Sequence, residues 1–246
     1  MNRISRLQYL LLALLIVLFL ILRTPASIFG AIVSGATGGK IRLAAASGSL
    51  WRGSAQPLLY DHALGEQMQW AWQPRELLHG RLSYELHLDG GQANVAFGLH
   101  DLMLSQVNLN LAADPIFALD ERSRTYGLTG QLHLSTDGFR LRNNMPDGTL
   151  TIDWHNAGSS LAPSVDPLGD YRLTATAGDK AWDLHLNTLT GRLVLNGNGK
   201  WSASEGLSTE ISLRAAPGSE AALFPFLSRV GPGAPDAERR LPLRLS

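Results

Sequence analysis

The stretch Leu82-Ser83-Tyr84-Glu85-Leu86-His87-Leu88-Asp89-Gly90-Gly91-Gln92-Ala93-Asn94-Val95-Ala96-Phe97 decides the fold. Leu82, Tyr84, Leu86 and Leu88 alternate with Ser83, Glu85 and His87. Successive side chains of a strand point to opposite faces, so this run has one apolar side and one polar side. Gly90-Gly91 can adopt the positive φ angles of a tight hairpin turn. Ala93, Val95 and Phe97 then return with the same period. The signature continues on both sides. Met68, Trp70 and Trp72 alternate with Gln69 and Ala71, and Val107, Leu109 and Leu111 alternate with Asn108 and Asn110. Further strands are predicted at 128–134, 149–154, 171–176, 181–186, 191–195 and 207–213. Asp137-Gly138, Asp147-Gly148 and Gly178-Asp179 read as turns between them. The chain is therefore expected to be mainly β and antiparallel. Helix is expected to be scarce: one turn started by Pro74, and a short helix over Ser219–Leu227 with Ser219 as N-cap. Gly231–Glu238 reads as a loop, and Leu241, Leu243 and Leu245 as a last strand that Pro242 confines to an edge.

The N-terminus follows a different rule. Leu7–Leu22 is apolar except for Gln8. Sixteen helical residues span about 24 Å, short of the ~30 Å of a bilayer core. Tyr9 and Arg23 suit the two interfaces, and Phe29 and Ile32 would extend the apolar length past Pro25. A cleaved signal peptide shares the basic start and short apolar run, but Arg23 stands where small uncharged residues are expected. The reading is an uncleaved transmembrane helix over 7–24, marked by Leu7, Leu22 and Arg23. Arg3, Arg6 and the amine place residues 1–6 in the cytoplasm, and the rest lies outside it. Residues 25–40 read as a linker. Its Ser34-Gly35-Ala36-Thr37-Gly38-Gly39-Lys40 is no phosphate loop, because Ser34 holds the first Gly position and Ile41 follows Lys40.

Composition narrows the function. Lys and Arg total 21 and Asp and Glu total 21, and the 17% charged residues fall below the roughly 25% of an average soluble domain. A neutral chain lacks the basic surface of a nucleic-acid binder. Absence of Cys excludes disulfides, thiol nucleophiles and cysteine metal sites. The seven histidines (His62, His79, His87, His100, His133, His155 and His185) show no paired metal spacing. No G-x-S-x-G elbow occurs. No catalytic residue, cofactor or metal is expected, and the chain is read as a non-enzyme. The β domain is expected over 41–217, with 218–246 as helix, loop and edge strand. A shift of 89 positions lays Gly80 on Gly169, Tyr84 on Leu173 and Val95 on Leu184, which would divide the sheet into tandem repeats at 41–113 and 125–215.

Three motifs then carry a resemblance. They are Gly48-Ser49-Leu50-Trp51-Arg52-Gly53, Trp70-Ala71-Trp72-Gln73-Pro74 and Leu77-Leu78-His79-Gly80-Arg81-Leu82, with Gly148–Trp154 further on. In this order, after one apolar helix, they resemble protein N of the bacterial type II secretion system. Gly48, Leu50, Trp51, Gly53, Trp70, Trp72, Pro74, Leu78, Gly80 and Trp154 read as fold-forming residues of that family motif. Trp51 is expected to lie flat over a neighbouring glycine. The resemblance implies a single-pass inner-membrane protein with a periplasmic, curved antiparallel sheet similar to AsmA-like proteins. It also implies an accessory, non-enzymatic role in assembly or partner binding, in contact with C-, L- or M-type inner-membrane components of the machine. The AsmA-like similarity implies an alternative, an anchored lipid-binding or lipid-transfer protein with an apolar groove.

Overall fold

The computed structural model describes residues 6–245 except 60, 61, 66, 89, 100, 119, 120, 144 and 203. The expected cytoplasmic segment, apart from Arg6, and His100 lie outside the described residues. Two helices come first, α1 (Arg6–Leu22) and α2 (Ala26–Ala36). Then follow β1 (Ile41–Gly48), β2 (Arg52–Leu59), β3 (His62–Ala63), β4 (Met68–Trp72), β5 (Leu82–Leu88), β6 (Gly91–Phe97) and β7 (Asp101–Ala112). Short helices α3 (Ala113–Phe117) and α4 (Glu121–Arg124) lead to β8 (Leu128–Arg142), β9 (Met145–Ser159), β10 (Gly169–Ala177), β11 (Trp182–Gly191), β12 (Leu193–Ser202) and β13 (Gly206–Ala215). Finally α5 (Glu220–Val230) precedes β14 (Arg239–Leu245).

Spatial order follows chain order. β1, β2 and β4 to β14 form one open antiparallel sheet in sequence order, with β3 paired to β2 beside the path. Short connections between neighbouring strands favour this arrangement. Register keeps like with like across it. Trp70 faces Leu86, and Leu86 faces Ala93. Leu134 faces Ile152, which faces Leu173, which faces Leu186. One side of the sheet is thus mainly apolar, as period-two alternation requires. The other side carries rows such as His133, Asp153 and Arg172.

Two helices cover parts of the apolar side. α2 closes a core of Ala26, Ala55, Met68, Trp70 and Tyr84 with half-buried Phe29 and Leu43. α5 drives Leu223, Phe226 and Leu227 against Tyr171, Leu193, Leu195 and Leu213. Between these cores the rings of Phe139 and Trp182 stack at 3.8 Å. They sit on β8 and β11, about 14 Å apart in a flat sheet at ~4.8 Å per strand. Contact requires the sheet to curl toward its apolar side over small residues: Gly148 opposite Phe139 and Ala177 opposite Trp182.

The structure changes four expectations. Within the stretch read as a linker, Ala26–Ala36 is α2, started after Pro25 and held by the core beneath it. Phe29 therefore does not extend the apolar run of α1; it stacks on Trp70. Asp137-Gly138 and Asp147-Gly148 do not turn the chain. They lie inside β8 and β9, where the register shifts between Ser135 and Phe139, so the glycines form a bulge in two long strands. The Thr136 hydroxyl donates to the Thr149 carbonyl across it, at 2.5 Å. Lastly, the structure gives the tandem repeat no support. β5 and β10 are five places apart in the sheet, so they run in opposite directions, whereas translated copies would keep one direction.

Candidate functional site

Strand direction alternates along the meander, so alternate hairpins share an end of the sheet. The end that holds Gly48, Gly53 and Trp72 is called the near end here, because α1 stops there. The family motif builds this joint. Gly48 and Gly53 face each other across β1 and β2. Gly48 has φ +92°, and a Cβ there would meet the Arg52 carbonyl at 2.6 Å. Gly53 is covered by an indole: its Cβ would meet Trp70 Cζ2 at 2.5 Å. Phe29 stacks on the other face of that indole at 4.5 Å. Trp70 is thus packed between a glycine and a ring, and its Nε1 donates to the carbonyls of Ser49 and Leu50 at 3.2 Å each.

Trp51 differs from its expected placement. It lies in the β1–β2 turn, and Trp70 takes the place on the glycine. Strand alternation aims Trp70 at Gly53, whereas the turn aims Trp51 toward α1. Its Nε1 donates to the Ile21 carbonyl at 2.8 Å, and its ring meets Trp72 at 4.6 Å. The Leu50 N–H donates to the Thr24 carbonyl at 2.8 Å, and Pro25 bridges to Ser49. The last carbonyls of a helix lack partners within it. The turn therefore caps α1 and fixes the elbow between α1 and α2.

Next to it, Gln73 N–H donates to Ser83 and Pro74 opens a 3-10 turn, Pro74–His79. Gly80 closes it in the left-handed region at φ 71°. Arg81 Nε meets Asp101 Oδ2 at 3.2 Å and ties this connection to β7. Leu78 is 89% exposed. The structure thus brings Gly48, Leu50, Trp51, Gly53, Trp70 and Trp72 together, with Pro74, Leu78 and Gly80 alongside. Trp154 stands apart on β9, donating to the Thr129 carbonyl at 2.9 Å and packing against Phe117 and Tyr171. Leu7 and Leu22 lie within α1, and the Arg23 guanidinium sits 5.4 Å from the Phe19 ring centroid. Sequence reasoning missed Phe29 and the Ile21 and Thr24 carbonyls. Pro25, a helix-start residue, was the one available signal for α2.

Every large apolar side chain from Leu11 to Leu22 is exposed. Even so, no helix among the described residues is long and apolar enough to cross a membrane; α1 has 17 residues.

The polar side is held by ion pairs and amide contacts. Arg172 Nε and Nη2 donate to the two oxygens of buried Asp153 at 2.6 and 2.8 Å. That bidentate hydrogen bond holds the Asp153 carboxyl below the usual carboxylate range against the opposing effect of burial, assisted by the charges of Arg172, His155 and His133. Burial, with the charge of Asp170, pushes the Tyr171 hydroxyl up, and it donates to the Leu193 carbonyl. His133 and His185 each meet an asparagine at 2.8 Å. Among the described residues no group of three or more His, Asp or Glu is placed to hold a metal. A cavity of about 290 Å³ beside α3 is lined by Asp114, Phe117, Arg124 and Thr129 and contains no histidine.

These features define a β-meander domain on a helical stem, with Gly48, Leu50, Trp51, Gly53, Trp70 and Trp72 at the joint between them. The family model for type II secretion system (T2SS), protein N, matches residues 39–244. The chain belongs to that family, and membership carries an accessory role in type II secretion. The match begins just before β1 and runs into β14, so it takes in the whole sheet and α5. No curated protein and no solved structure matches the chain.

Proposed function

We propose that the protein is a non-enzymatic inner-membrane component of the type II secretion machinery that works through partner binding by its sheet. α1 is the anchor, the N-terminus is cytoplasmic and the sheet is periplasmic. An apolar helix exposed on all sides supports this reading, because in water it would leave a large apolar surface uncovered. With Tyr9 and Arg23 at the interfaces, about 21 Å apart along the helix, α1 requires a locally thinned bilayer. The observation that carries the partner reading is the open meander, matched along its length by the family, with β1 and β14 each paired on one side only. Such edges accept a further strand. C-, L- or M-type components are the expected partners. The test is a photo-crosslinking residue at position 240 or 44 in cells, together with export in a deletion strain. Crosslinks to those components and a loss of export are expected. Normal export without crosslinks overturns the reading.

A second reading is lipid handling on a curled, AsmA-like sheet. It is favoured by the apolar side between the two cores, where Phe97 and Leu102 are exposed and Leu104 and Phe139 only half-buried. Phospholipid or lipopolysaccharide recovered by mass spectrometry from the purified chain would support it. A lipid-free preparation with full export activity would remove it.

A further inference from the structure

The exposed apolar side chains of the sheet are not scattered. Leu77 and Leu78 lie in the 3-10 turn before β5, Phe97 ends β6, Leu99 is in the β6–β7 turn, Leu102 starts β7 and Met145 starts β9. All six are exposed, Leu99 at 94%. Topology puts all of them at one end. β4 runs toward Trp72 at the near end, and antiparallel pairing then returns the chain there after β6 and β8. This is the end at which Trp51 and Leu50 clasp α1. At the opposite end, outside the helices, Leu189 is the exposed large apolar side chain among the described residues.

A water-facing turn is normally polar, so two adjacent leucines in one turn and a bare leucine in the next call for a partner. The joint indicates which partner. It places the end of α1 at the level of these turns, about 20 Å from the β6–β7 turn at ~4.8 Å per strand. We propose that this rim of turns is a second bilayer contact, with Leu78 and Leu99 entering the headgroup region. The sheet then stands end-on against the membrane, with its strands along the membrane normal. The proposal rests on the reading of α1 as the anchor. Asp147 and Asp179 share the rim with Arg142 and Lys180, so apolar insertion drives the contact and anionic lipid adds little. A tethered domain needs only a weak second contact, because α1 keeps the rim at high effective concentration.

Because the chain has no Cys, single labels are clean. Leu78→Cys, Leu99→Cys, Leu189→Cys and Leu15→Cys of the full chain, each carrying an environment-sensitive fluorophore, are reconstituted in phosphatidylcholine vesicles with and without phosphatidylglycerol. Nitroxide lipids labelled near the headgroup serve as quenchers for positions 78, 99 and 189, and nitroxide lipids labelled deep on the acyl chain for position 15. Leu78 and Leu99 protrude, so their replacement leaves the cores unchanged, and an unaltered melting temperature checks it. Quenching at 78 and 99 several-fold above that at 189, in both lipid mixtures, is expected. A quenched label at 15 with 78 and 99 open to an aqueous quencher overturns the rim contact and leaves the anchor. No quenching at 15 overturns the anchor, and the rim contact with it. Protection at 78 and 99 only after secretion components are added replaces the bilayer with a protein partner.

Discussion

At the residue scale, the joint depends on atoms that glycine lacks. The Cβ of Gly53→Ala would lie 2.5 Å from both Trp70 Cζ2 and the Ser47 carbonyl oxygen, which strand pairing holds in place. Overpacking of this kind costs about 1–3 kcal/mol. A lower denaturant midpoint is expected, with a red-shifted tryptophan emission as Trp70 lifts off its seat. Trp51→Phe keeps the ring against Trp72 but removes the donor to Ile21. Faster amide exchange at Thr24 and at residues 26–28 is expected, with the sheet unaffected. Asp153→Asn removes a carboxylate that accepts two guanidinium bonds, one from each oxygen. Its cost at neutral pH is about 1–2 kcal/mol, because Arg172 is half-exposed to water. The pH dependence has a definite sign. The folded carboxyl titrates below its unfolded value, so its contribution is complete above the unfolded value, near pH 4. It is lost as pH falls through the folded value. Melting curves of wild type and Asp153→Asn should therefore differ at pH 7 and converge in strong acid; an unchanged gap there would refute the assignment.

At the element scale, α2 is a lid held by its packing on the core beneath it. Ala26–Ala36 has no charged residue and no side-chain N-cap bond. A helix of that length is not stable alone in water, so tertiary packing sustains it. Phe29 stacks on Trp70 and tilts against Tyr84, which makes it the residue that holds the lid. Phe29→Ala is expected to cost about 3 kcal/mol and to lower the helical circular dichroism signal as α2 detaches. The bulge in β8 and β9 has a different role. Gly138 and Gly148 approach so closely that a Cβ on Gly148 would lie inside the Gly138 carbonyl contact. This bends the strands where Phe139 must reach Trp182.

At the scale of the whole molecule, each strand bonds to its neighbours in sequence, except that β2 reaches past β3 to β4. Stability in such an array is a sum of local terms, and cooperativity follows the cores. Hydrogen exchange is expected to show two protected regions, one under α2 and one under α5, with faster exchange in β6 to β8 between them. Uniform protection would show the sheet to be a single unit. The same topology leaves two sheet edges unpaired and gathers alternate turns at the end where α1 stops.

Much of this was legible in the sequence. Alternation in Leu82–Leu88, Ala93–Phe97 and Leu207–Leu213 set strands and faces, because a half-buried sheet imposes period two. Pro74 marked the start of the turn at the near end, because its ring fixes φ. The ordered motifs from Gly48 to Leu82 pointed to the family. By contrast, α2 was hidden: ASIFGAIVSGA shows no alternation or charge, and its helix depends on Trp70, far along the chain. The Asp-Gly pairs read as turns because local chemistry favours them there. Only the partner strand reveals that they are a bulge.

The sequence by itself determined the β class, the alternating faces of most strands, the apolar stem and the family, since each is written in spacing along the chain. Tertiary structure alone decided that Trp70 takes the glycine seat while Trp51 holds the stem. It also decided that Phe139 meets Trp182, and that the leucines at positions 77, 78 and 99 share an end with α1. Those facts depend on how many strands separate two residues and which way each strand runs. Spacing in the sequence does not encode either quantity until every strand has been placed.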